Sequence, residues 1–450
     1  MTEYPTLAAL ADDLAQGRTS SRALTEQAFE RIKDPSGEGG RAFTKLYEGG
    51  ALAQADAMDA ARANGIRVNP LAGIPISIKD LFDVTGEVTM AGSVVRDDQP
   101  AATHDAPIVT RLRKAGAVIL GKTNMTEFAF SGIGINPHYD TPRNPWDRET
   151  GRIPGGSSAG AAVSVTDGMA ALAIGTDTGG SVRIPSAFCG LTGFKPTAKR
   201  VPTRGAFPLS TSLDSIGPLG ASVACCALID QIMSGRRSRP ISPIPLDGLR
   251  LAVPQSWVLD DLDATVAKTF EAAIDRLSKA GARIVGVPFT ELMEIPRAHA
   301  KGSFAASEAF YFLRDLLATG ENRFDPRVSS RIKTGGQMLA ADYLELLDAR
   351  KRIQRECNAV TSAFDAVVMP TTPMVAPVIS ELVESDDLYY ATNMLSLRNC
   401  TVGNFLDRCA ISLPCHEPGT APVGLMLMGE TMGDEYLLSV AAGVEAALEH

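Results

Sequence analysis

The chain has 450 residues, enough for one large domain or two modest ones with a substantial core. Its composition, 45% hydrophobic and 21% charged, is that of a globular protein, and its net charge of −9 argues against a nucleic-acid surface. No uncharged apolar run approaches the ~18 residues a membrane span needs, and the seven cysteines show neither CxxC nor Cys/His ligand spacing, which fits a reduced, cytoplasmic protein.

In chain order, the opening stretch MTEYPTLAALADDLAQGRTSSRALTEQAFERI lacks a basic start leading into an apolar block, so it does not read as a signal peptide. Residues 5–65 read as helices, broken early at Gly17. LAGIPISIKDLFDV, Leu71 to Val84, holds a short apolar strand that ends near Lys79. DAPIVTRLRKA then sets Ile108, Val109, Leu112 and Ala115 on one helical face; Gly116 stops that helix, and AVIL reads as a strand buried on both faces.

Residues 116–123, GAVILGKT, also fit the phosphate-loop pattern letter for letter. A phosphate loop follows a strand and curls its variable residues round an anion. Here a helix precedes the first glycine, and Val-Ile-Leu favours an extended chain. The stretch is expected to be a helix–strand unit.

Residues 151–205 are rich in Gly and Ser yet too apolar for a linker, so they are packed structure. PISPIP at 240–245 reads as a surface connection and 264–280 as a helix. Residues 300–363 read mostly as helix, and 364–377 as a buried strand running into proline turns. PVGLMLMG and DEYLLSVAAGVEAAL supply a strand and a closing amphipathic helix; the ending LEH reads as the start of an expression tag. There is no internal repeat. The alternation predicts an α/β protein with helices over a large mixed sheet.

Chemistry concentrates in residues 154–197, PGGSSAGAAVSVTDGMAALAIGTDTGGSVRIPSAFCGLTGFKPT. AGAAVSV can form a helix packed closely against its neighbours. After the apolar AALAI, a strand runs into Gly179-Gly180-Ser181, where no side chain blocks a substrate and successive backbone N–H groups can converge on one oxygen. A serine there needs a base. The five histidines (104, 138, 299, 416, 450) all lie outside this stretch, whereas Lys79 sits in apolar surroundings that favour its neutral form. An ordinary ion pair between Lys79 and Asp80 is the alternative. GSSAG at 156–160 also matches the G-x-S-x-G elbow with Ser158 central, but a loop precedes it, and His416 has no marked acid partner.

GIPISIKD, GKTNMTEF, NPW, PGGSSAGAA and GTDTGGSVRIPSAFCG, in this order, resemble the amidase signature family. The resemblance runs over about residues 5–445 and is densest at 71–220. It implies one large α/β amidase-signature domain over 1–450, a mixed twisted β-sheet covered by helices on both faces. Residues 5–65 would be its N-terminal helices, 66–235 its catalytic core, 300–363 a helical substrate-side region and 364–445 the C-terminal part of the core. It further implies a Ser–Ser–Lys mechanism: Ser181 as acylated nucleophile, Ser157 as a bridging serine in a cis conformation, Lys79 as base. Thr178, Gly179, Gly180 and Ser181 would supply the oxyanion hole, and Ala129 would face the substrate. No metal and no organic cofactor is implied. Asp177, Ser158 and Arg183 are expected to support the site. GGSSAG has alanine where many members carry glycine. Phe304, Phe310, Tyr311 and Arg398 are candidates for lining an acyl pocket.

Two functions follow from the resemblance. One is an amidase cleaving a small-molecule amide to a carboxylate and ammonia, without nucleic acid or membrane and with a homodimer left open. The other is the glutamine- or asparagine-hydrolysing component of a tRNA-dependent amidotransferase, its A subunit, which frees ammonia for a partner. A catalytically dead scaffold is disfavoured, because all three catalytic residue types stand at matching positions.

Overall fold

The computed structural model describes residues 5–66 and 68–448; the first four residues of the opening stretch and the last two of the LEH ending lie outside them. The described strands are Phe43–Leu46 (β1), Pro75–Lys79 (β2), Val118–Thr123 (β3), Leu172–Asp177 (β4), Thr192–Lys195 (β5), Ser215–Gly220 (β6), Arg250–Pro254 (β7), Arg283–Val287 (β8), Ala366–Pro370 (β9), Ala410–Pro414 (β10) and Gly424–Met428 (β11). They form one sheet of order β1-β3-β2-β4-β6-β5-β10-β11-β9-β7-β8. Strands β3, β2 and β4 run parallel. The middle from β4 to β9 is antiparallel, and β9, β7 and β8 are again parallel. The protein is thus a single α/β domain built on a large mixed sheet.

Every residue of β2, β3 and β4 is buried, as in sheets covered on both faces. On one face Ile76, Ile78, Leu172 and Ile174 join the apolar sides of helices Pro107–Lys114, Val223–Ser234 and Phe304–Gly320. The other face receives the helix Ala159–Thr166, whose residues are all buried. Small side chains make that approach feasible: a Cβ on Gly160 would lie 2.2 Å from Ala42 O.

GAVILGKT takes the helix–strand form read from its context. Gly116 stands just past the helix Pro107–Lys114 with φ of 83°, and Val118 to Thr123 are β3. Gly121 is required because β1 passes so closely that a Cβ would lie 2.1 Å from Lys45 O. Lys122 is buried 3.7 Å from Asp80 instead of facing an anion. One expectation needs correcting: residues 5–65 are not all helix, since Phe43–Leu46 is the edge strand β1, paired antiparallel with β3. Four residues are too few for sequence periodicity to register, and their partner lies some eighty residues on. Among the described residues no helix is long and apolar enough to cross a membrane.

Candidate active site

Because β2 and β4 are parallel neighbours, their carboxyl ends, Lys79 and Asp177, emerge at the same edge of the sheet, where open α/β sheets place their ligands. Strand alternation turns Ile76 and Ile78 into one core and leaves Ser77 and Lys79 on the opposite face. Ser77 shares a 2.8 Å hydrogen bond there with Ser164 of the helix Ala159–Thr166. Ser157 and Ser158 lead into that helix, and the Gly156–Ser157 peptide is cis. Gly175 of β4 makes room for them: a Cβ on it would lie 2.6 Å from Ser158 Oγ.

The result is a buried pair. Lys79 Nζ lies 2.7 Å from Ser157 Oγ and 3.0 Å from Thr176 Oγ1. Burial pushes the ammonium down to about 7, against the pull of Asp177 and Asp214. The Lys79–Asp80 pairing is not made; Asp80 faces Lys122. Its carboxyl is pushed up to about 6 by burial, which Lys122 offsets only in part.

The turn after β4 is fixed by the Asp177 carboxylate. It accepts from Gly180 N at 2.9 Å and Val182 N at 3.2 Å, and from Arg183 Nε and Nη2 at 3.0 and 2.9 Å. Asn404 Nδ2, from the helix Asp386–Phe405, donates to it at 2.9 Å. Burial opposes ionisation of Asp177, but Arg183 and these donors hold it far below the usual carboxylate range. Gly180 needs to be glycine, with φ of 134° and a Cβ position 2.6 Å from Cys400 Cβ.

The Gly180 N–H, expected to face an oxyanion, is therefore spent on Asp177. The N–H groups of Thr178, Gly179 and Ser181 have no protein acceptor among the described residues. Thr178 is held from the other side, its hydroxyl donating to Asp214 Oδ1 at 2.5 Å. Asp214 also accepts from Leu209 N and Ser210 N, both at 3.0 Å. Burial pushes the Asp214 carboxyl up to about 6, and the Thr178 hydroxyl and these two N–H groups only partly counter it.

Ser181 opens with Thr178, Gly179 and Ala129 onto a cavity of about 680 Å³, a size suited to a small-molecule substrate. The body of the cavity is apolar, formed by Leu209, Leu213, Trp257, Ile295, Phe304 and Leu397. Of the expected lining residues, Phe304 and Arg398 are there; Phe310 and Tyr311 are not. Phe310 packs on Gly336, and Tyr311 is 62% exposed, because successive positions on the helix Phe304–Gly320 point in different directions. Ser158 lies buried beneath the site, with its hydroxyl toward Thr176 O at 3.5 Å. His416 packs against Gly190.

Sequence reading missed Thr176, Asp214, Asn404 and Arg331. Thr176 and Asp214 lie within or just beyond the glycine-rich stretch, and only their side-chain directions distinguish them. Asn404 and Arg331 come from helices more than 140 positions after Ser181, and no local pattern marks them.

The sequence profile of the Amidase family matches residues 23–438. The chain is 37% identical over 415 residues to the 2-amino-5-chloromuconic acid deaminase of Comamonas testosteroni, covering 90% of this chain and 88% of that protein. It is 34% identical over 482 aligned positions to the A subunit of the glutamyl-tRNA(Gln) amidotransferase of Moorella thermoacetica, covering 99% and 97%. Among solved structures, an amidase superposes with a TM-score of 0.88 at 31% identity, covering 98% of this chain and 99% of that one.

Proposed function

Given that the chain belongs to the amidase family and is a hydrolase of amide C–N bonds, we propose that it converts a small carboxamide to its carboxylate and ammonia through Lys79, Ser157 and Ser181. The observation that carries this reading is the buried 2.7 Å contact between Lys79 Nζ and Ser157 Oγ, beside the turn that presents Ser181 to the cavity. A neutral amine at Lys79 gives one N–H to Thr176, and its lone pair accepts the Ser157 proton. Ser157 in turn draws the proton of Ser181 as Ser181 Oγ attacks the amide carbon.

The tetrahedral oxyanion is met by the free N–H groups of Thr178, Gly179 and Ser181, at a few kcal/mol per donor. Collapse breaks the C–N bond, with Ser157 returning a proton to the departing nitrogen, so ammonia leaves and Ser181 stays acylated. Water, deprotonated along the same relay, adds to the ester; the acid leaves and Ser181 recovers its proton.

The test is ammonia release by the purified chain from a panel of primary amides, with Ser181→Ala and Ser158→Ala alongside. Ser181→Ala is expected to lose about 10⁴-fold or more and Ser158→Ala to retain most turnover. The reverse pattern would sink the assignment and revive the elbow at Ser158.

A second reading rests on the 34% identity, end to end, with the amidotransferase component: ammonia would be freed from glutamine or asparagine for a partner. A chain silent alone but active once its co-purifying partner is restored would favour it.

A further inference from the structure

Leu209 and Leu213 line the cavity, and the short loop 209–214 that holds them also carries Asp214, the carboxylate bound to the Thr178 hydroxyl. The loop closes on itself. Asp214 Oδ2 accepts from Leu209 N and Ser210 N, and Ser210 O accepts from Leu213 N at 3.1 Å and Asp214 N at 2.8 Å. Its far side rests on a single carboxylate, that of Glu308, which is buried on the helix Phe304–Gly320. Glu308 Oε2 accepts from Ser210 Oγ at 2.8 Å, Thr211 Oγ1 at 3.2 Å and Ser212 N at 3.0 Å. Its Oε1 accepts from Ser212 Oγ and, at 2.7 Å, from the Tyr343 hydroxyl.

All five of these donors are uncharged, and four of them belong to the loop. A buried carboxylate is costly unless its lone pairs are met, so the charge of Glu308 and the shape of the loop require each other. Ser212 is gripped from its other side as well: Arg350 Nη1 donates to Ser212 O and Nη2 to Asn404 O, both at 3.1 Å. Asn404 braces Asp177, so the two carboxylates that fix the turn, Asp177 and Asp214, are tied to the same helix, Ala340–Thr361. Leucine contacts with a substrate are non-directional and tolerate a small displacement of the loop. An N–H aimed at one oxygen does not.

Resting on the amidase reading, we infer that Glu308 is a positioning residue for the oxyanion hole: through the loop 209–214 and Asp214 it keeps the Thr178 N–H on the oxygen of the tetrahedral intermediate. It acts through Thr178 and not on the substrate itself. Its loss is therefore felt in the transition state and not in binding of the amide.

The experiment measures kcat and KM for a neutral amide, 3-phenylpropanamide, in the wild type, Glu308→Gln, Thr178→Val and the double variant. Glutamine keeps the volume but turns one acceptor into a donor, so it cannot meet all the donors of the loop. Glu308→Gln is expected to lower kcat by about 10- to 100-fold with KM within about twofold. Thr178→Val, which keeps the N–H but lacks the hydroxyl bound to Asp214, should do the same. The double variant should fall little below the worse single one, because both cut one chain of contacts. Losses that multiply, a wild-type kcat in Glu308→Gln, or a loss carried by KM would overturn the inference and leave the amidase reading standing. Ser212→Ala removes one bond and keeps the carboxylate, so it decides the point if Glu308→Gln fails to fold. A kcat lowered about threefold at constant KM upholds the inference, and an unchanged kcat overturns it. Calorimetry with 2-phenylethylboronic acid reads the hole without turnover. Ser181 Oγ adds to boron, its proton passes to Lys79 through Ser157, and a boron-bound oxygen takes the place of the oxyanion. Glu308→Gln should weaken this adduct about tenfold, while 3-phenylpropanamide binds Ser181→Ala equally with and without Glu308→Gln. That pattern upholds the inference even if the wild type does not turn the amide over, and a boronate affinity unchanged by Glu308→Gln overturns it. Boronate bound alike by the wild type and Ser181→Ala overturns Ser181 as nucleophile, and the inference with it.

Discussion

Lys79 carries the titration on which the proposed chemistry turns. In water a lysine stays charged to about 10.4; here burial brings it to about 7 because no carboxylate touches the ammonium, and Asp177, whose charge opposes that shift most, is already claimed by Arg183. The active form is the neutral amine, so kcat/KM should rise with pH through an apparent pKa of about 7 and level off above it. A pH profile of kcat/KM on a non-ionising neutral amide isolates this limb from titration of the substrate. A profile flat from pH 5.5 to 9 would exclude neutral Lys79 as the base. Asp177 and Arg183 act differently. Both are fully buried, and together they serve as the rigid hook on which the turn carrying Ser181 hangs.

Among the elements, the site depends on how closely the helix Ala159–Thr166 sits on the sheet. That helix has almost no large side chains, and its first turn fits only because Gly160 and Gly175 leave their space open. A methyl on Gly160 meets main chain on both sides, Ala42 O at 2.2 Å and Asn124 N at 2.7 Å, and neither can rotate away. Gly160→Ala is therefore expected to cost about 1–3 kcal/mol in urea denaturation. It should also lower kcat by more than that stability loss explains, because the displaced helix carries Ser157 away from Lys79. Unchanged kcat in the folded variant would mean that the spacing of helix and sheet does not govern the pair.

Across the entire chain, the decisive feature is that one sheet runs through both halves of the sequence. Strand β5 pairs with β10 at Ile411 and Phe194, and Asn404, from the second half, braces the Asp177 carboxylate of the first. A fragment ending at residue 235 keeps Lys79, Ser157 and Ser181, yet it exposes the β5 edge and loses Asn404, Arg331 and most of the cavity wall. It is expected to aggregate or to lack a cooperative thermal transition by circular dichroism. A soluble fragment with a sharp melt would show instead that the first half is a domain in its own right.

Local facts were legible in the order of residues alone. A helix must stop at Gly116 and a buried strand must follow, AGAAVSV must pack tightly, the turn after AALAI must leave backbone exposed, and a lysine in GIPISIKD must be poorly solvated. Each rests on side-chain size, branching or hydropathy within about a dozen residues, which a linear pattern records. The family resemblance added Ser157 to that reading, together with the roles expected of Lys79 and Ser181. Folding of the whole chain was needed to settle which neighbours of Lys79 matter, that Asp177 takes the Gly180 N–H, that Tyr311 faces water while Phe304 faces the cavity, and that Glu308 grips the loop behind Thr178. These depend on contacts between positions up to 227 apart in sequence and on the rotation of each helix about its axis. Neither is set by the residues next to it; both are fixed by packing against the rest of the sheet.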